Sequence, residues 1–125
     1  MNISNEKFEI IVAEAIDNLP DKFKKKLNNV AILVEDCPSA AQLKKLGVRG
    51  DYLLFGLFEG YIQSKRLNFG PVLPDRITIF KKAISSQSAD ENDLRKKIES
   101  TVRHEIAHHF GSDEPGARKA SRRNS

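Results

Sequence analysis

The chain has 125 residues and 14.1 kDa, with 39% hydrophobic and 30% charged residues and a formal charge of +4. That length holds one core and falls short of two domains, and the balance is that of a globular protein and not of a disordered one. The longest apolar runs, Val30 to Val34 and Tyr52 to Phe58, stop far short of the ~20 residues that cross a bilayer, and MNISNEKFEI lacks the basic patch and apolar stretch of a secretory signal. A cytoplasmic protein with no membrane partner is expected. The lone Cys37, which cannot form an internal disulfide, agrees with a reducing compartment.

In chain order, Phe8, Ile11, Val12, Ala15, Ile16 and Leu19 recur at helical spacing until Pro20, which predicts an amphipathic helix over 5–19. The basic run at Lys22 to Lys26 reads as a solvated helix face. VAILV at 30–34, short and rich in β-branched residues, predicts a buried strand. Ser39 with Gln42 three residues on opens a short helix that Gly47 closes. DYLLFGLFEGYI, 51–62, reads as a second strand, with Gly56 at a bulge or close approach and Gly60 at a turn. A loop over 63–74 follows, and RITIF at 76–80 is a third strand. Ser88 and Glu91 form a capping-box pattern for a last helix over about 89–110, whose positive end suits Asp90, Glu91 and Asp93. The expected domain is 1–114. Residues 115–125, with Arg118, Lys119, Arg122 and Arg123 unopposed by acids, are expected to form a basic, disordered tail. No aromatic residues interleave with the basic clusters, so a nucleic-acid partner is not expected.

The last helix carries all three histidines in HEIAHHFGSDEPG, 104–116. His104 and His108 lie about 40° apart on one face, so two neutral imidazoles one turn apart can both reach a zinc ion at ~2.0–2.1 Å. Glu105 between them would project toward a metal-bound water, whose pKa zinc lowers toward neutrality, and can take its proton as general base. The bland alternative is a solvated helix end whose histidines favour the dipole. His109 falls on the wheel between Ile98 and Val102, as a core histidine or one that supports the ligands from behind. Gly111 can end the helix in the left-handed conformation, and Pro115 holds Glu114 extended. Glu114 is thereby the favoured third ligand, with Asp113 as its alternative.

With HEIAHHFG the chain resembles the small bacterial zincin-like metallopeptidase family of one-domain proteins. FEIIVAEAIDNLPDKF, LFGLFEGY and GPVLPDRITIFKKAI extend the similarity in order from Phe8 to Glu114. The resemblance implies an α+β minimal zincin-like fold, a small mixed sheet packed on an N-terminal helix and a C-terminal active-site helix. It also implies His104, His108 and the acidic residue aligned with Glu114 as ligands of Zn2+, and Glu105 as catalytic base. Family members usually carry aspartate where this chain reads SDEP.

The expected function is a zinc-dependent peptidase, a monomer acting on a peptide or protein that lies extended along a sheet edge, with Tyr61 or Arg66 as candidates for stabilising the oxyanion. Two rivals stand beside it. A related family of zincin-like endoribonucleases has glycine where this chain has Glu105 and histidine as third ligand, and the positive charge would suit RNA. A non-catalytic binding module would use zinc only to fix the tail, although such sites are closed by four protein ligands.

Overall fold

A computed structural model describes residues 1–47, 54–60 and 75–110. Helix α1 spans Asn5–Asp17; the Ser4 hydroxyl accepts the Lys7 N–H at 3.2 Å and caps it. Its buried face is Phe8, Ile11, Val12 and Ala15, the i, i+3, i+4, i+7 stripe that the spacing predicts. The helix ends two residues before Leu19, which is itself buried. Pro20 opens α2, Asp21–Lys26, which buries Phe23 and turns Lys22, Lys24 and Lys25 to solvent. Arg103, from the last helix, lies 5.0 Å over the Phe23 ring.

Asn29 turns the chain at φ 75°, a left-handed conformation that asparagine tolerates, into strand β1, Val30–Glu35. Ser39 and Gln42 form the predicted capping box of α3, Ala40–Leu46, and Gly47 at φ 71° ends it. Strand β2 is Gly56–Glu59, shorter than the predicted strand; Leu54 and Phe55 are outside it, and 51–53, 61–62 and the predicted loop 63–74 lie outside the described residues. Strand β3, Asp75–Phe80, runs straight into α4, Lys81–Ser86, an element the sequence reading does not contain. The last helix, α5, spans Glu91–Phe110.

The three described strands form one mixed sheet in the order β1-β3-β2, with β1 parallel and β2 antiparallel to β3. The α+β class and the packing of the sheet on α1 and α5 are as expected. The burial of VAILV is not: β1 pairs only with β3 among the described residues, its residues are half-buried or exposed, and Leu33 is 39% exposed. The central, buried strand is β3, where Ile77 and Ile79 join Phe8, Ile11, Ile98, Val102 and Ile106 in the main core, while Phe80 meets Leu54 and Leu57 in a smaller cluster.

Helix α5 is capped by Asp90 and not by the predicted Ser88–Glu91 box. The Asp90 carboxylate accepts the Asp93 N–H at 2.8 Å, its carbonyl accepts the Leu94 N–H at 2.9 Å, and Asp93 reaches back to the Ala89 N–H at 2.9 Å. Ser88 donates instead to the Ile84 carbonyl at 2.7 Å, closing α4. Ion pairs Lys7–Glu91 at 3.4 Å and Arg95–Glu14 at 2.8 Å lie along the α1–α5 seam. Among the described residues no helix is long and apolar enough to cross a membrane.

Candidate active site

One side of α5 lies along β2 with a regular mesh. Thr101, Glu105 and His109 recur every fourth residue and make one stripe of the helix; Gly56, Phe58 and Gly60 recur every second residue and share one side of the strand. Four helical residues advance about 6.0 Å and two strand residues about 6.8 Å, so both stripes keep step over this length. Each tooth has its contact. A methyl group on Gly56 would come within 2.6 Å of Thr101 Cγ2, and one on Gly60 within 3.3 Å of His109 Cε1, so the helix lies against the strand where side chains are missing. Between them the Phe58 N–H donates to Glu105 Oε1 at 3.1 Å, and the Phe58 ring stacks on His109 with centroids 3.7 Å apart and planes 17° from parallel.

The strand register explains why that N–H is available. Phe80 N–H donates to the Phe55 carbonyl at 2.9 Å, which makes 55 and 80 a hydrogen-bonded pair. Antiparallel alternation then turns Leu57 and Glu59 toward β3 and the N–H groups of Gly56 and Phe58 away from it, off the edge that β2 forms among the described strands. An edge donor that would otherwise need water is taken by a carboxylate. Glu105 is 3% exposed, and a buried carboxylate needs such a donor to offset its lost hydration.

His104 is half-buried and His108 exposed, one turn apart on the face of α5 beside Glu105. The donor set suits a zinc ion, two imidazoles with a carboxylate at their flank, although among the described residues no three His, Cys, Asp or Glu side chains gather as a metal-binding group. The expected third ligand, Glu114, its alternative Asp113, and the oxyanion candidates Tyr61 and Arg66 all lie outside the described residues. His109 sits on the predicted side of the wheel but is not a core residue. The helix has run past the core by then, and the ring is exposed and covered on one face by Phe58.

The zincin-like metallopeptidase family description matches residues 27–120, three-quarters of the chain. The chain belongs to this family. Its α+β architecture is accordingly a minimal zincin-like fold, and a metal-dependent peptidase is the activity the family suggests. Among solved structures, a conserved hypothetical protein from Thermo thermophilus shares the fold of this zincin-like chain with a TM-score of 0.57 at 20% identity, over 87% of this chain and 95% of that one. No curated protein matches.

Phe58 escapes a sequence reading. It is 47 residues from Glu105, and nothing local marks it. The available signal is the string G-x-F-x-G on the strand beside T-x-x-x-E-x-x-x-H on the helix, two stripes whose pitches match.

Proposed function

We propose that this protein is a zinc-dependent peptidase, with His104 and His108 as metal ligands, Glu114 as the third or Asp113 in its place, and Glu105 as general base. Zinc held there would polarise the scissile carbonyl as a Lewis acid and acidify water. Glu105 takes the proton of the attacking water and returns it to the departing amine. The substrate is a peptide or protein segment in extended form, the protein acts as a monomer in the cytoplasm, and neither nucleic acid nor membrane is a partner. Residues 1–114 carry the activity and 115–125 are a basic tail.

The observation that carries this reading is the setting of Glu105: a buried carboxylate flanked by two histidines one turn apart, held by a strand-edge N–H at 3.1 Å. An ordinary helix end has no reason to bury its one acid against a sheet edge. RNA hydrolysis has no comparable observation behind it.

Metal content and cleavage of an unstructured protein substrate test it together. Wild type should hold roughly one zinc per chain, which His104→Ala removes. Glu105→Gln should keep the zinc and lose turnover; a fully active Glu105→Gln would sink the mechanism. Loss of zinc on Glu114→Ala but not on Asp113→Ala would identify the third ligand.

A further inference from the structure

We propose that His109 is a positioning residue: its ring, stacked on Phe58, keeps the Phe58 N–H on the Glu105 carboxylate and so fixes the orientation of the base. The inference rests on the reading of Glu105 as that base.

Position on the helix separates His109 from the other two histidines. It lies about 140° from His104 and about 100° from His108 around the axis, so its ring serves the strand side and not the metal side. The contact is face to face, with 3.7 Å between centroids and 17° between planes. A stack of that kind resists sliding and tilting of the ring beneath it. The ring concerned belongs to the residue whose backbone N–H, 3.1 Å away, binds Glu105. Phe58 is therefore held to α5 at two points, by its ring to His109 and by its N–H to Glu105. These two residues are one turn apart on the same helix, and neither contact can shift without straining the other.

The strand end makes the second hold necessary. Described strand β2 stops at Glu59, one residue beyond Phe58. The ladder to β3 fixes Leu57 and Glu59, but Phe58 turns its N–H the other way. Gly60, which follows, has no side chain to brace the segment, and its bare backbone is what admits the His109 ring. Without the stack, the end of β2 is held less firmly and the Phe58 N–H no longer keeps its place on the Glu105 carboxylate. The imidazole is used here as a stacking plane.

Two readouts test this, one independent of activity. Amide hydrogen exchange of Phe58 is compared by NMR in wild type, His109→Ala and His109→Phe. Loss of the stack should speed exchange about two- to tenfold in His109→Ala, and His109→Phe, which keeps a flat ring, should retain protection. Unchanged protection in His109→Ala overturns the proposal. In peptide cleavage, His109→Ala should lower kcat with zinc content and KM unchanged, and His109→Phe should restore it. A His109→Phe as impaired as His109→Ala overturns it too, because the ring nitrogens would then be what matters. If His109→Ala does not fold, His109→Leu, which keeps bulk without a stacking plane, answers the same question. If wild type cleaves no peptide, the proposed function fails, while the exchange comparison still decides whether His109 holds Phe58.

Discussion

A methyl group on Gly56 would lie 2.6 Å from Thr101 Cγ2 and 3.3 Å from the Thr78 carbonyl, so this one residue sets how near α5 comes to the sheet. Gly56→Ala should cost about 1–3 kcal/mol as the helix is forced outward, read as a lower denaturant midpoint. Thr101→Ser removes the clashing methyl and keeps the hydroxyl that donates to the Lys97 carbonyl at 2.7 Å. The double variant should therefore recover part of the loss, and a strictly additive cycle would show the contact is not the cause. The sequence marks Gly56 as a bulge or close approach, and the second of these is what the fold contains. His104, Glu105 and His108 are equally legible there, because helical spacing is local. The donor to Glu105 is not, because that group arrives from another strand.

At the scale of the element, two caps with similar signatures have different outcomes. Ser39 and Gln42 make a closed box because both ends belong to one helix start with no rival. In α5, Ser88-x-x-Glu91 competes with Asp90-x-x-Asp93, and the second wins because Ser88 is engaged in ending α4. The alternation of RITIF hides that helix, so its claim on Ser88 is invisible in the sequence. Asp90→Ala should cost about 1 kcal/mol of stability by chemical denaturation. Lys97 holds Asp93 at 2.8 Å, and this bond with the Ala89 N–H keeps the Asp93 carboxyl below its ordinary pKa. The sequence identifies β1 as a strand and misjudges its burial. A run such as VAILV carries the same side chains whether it lies at the centre of a sheet or at its border, and the order of strands is decided by pairing between distant segments.

For the whole molecule, Glu59 ties three elements together: from β2 it accepts Gln42 of α3 at 3.0 Å and Arg76 of β3 at 3.3 Å. Burial pushes its pKa up, but those two bonds and the charges of Arg76 and Lys45 outweigh burial and hold it below the ordinary glutamate value. A depressed carboxylate stabilises the fold above its unfolded pKa of ~4.3, and that contribution is lost as pH falls through the folded value. Thermal unfolding of wild type should thus steepen in its decline below about pH 4.3, whereas Glu59→Gln should start lower and decline less over the same range. An equal decline in both proteins would assign the acid sensitivity to other groups. The mesh of β2 with α5 has a separate consequence for how this molecule tolerates change. Matched pitches behave as a vernier: a substitution degrades one tooth, but one residue inserted before Phe58 turns it to the opposite side of the strand and misaligns every tooth beyond. Variants of this segment should therefore grade smoothly by side chain and fail abruptly by length, so that an inserted glycine, the mildest of residues, does more harm between 56 and 58 than any single replacement there.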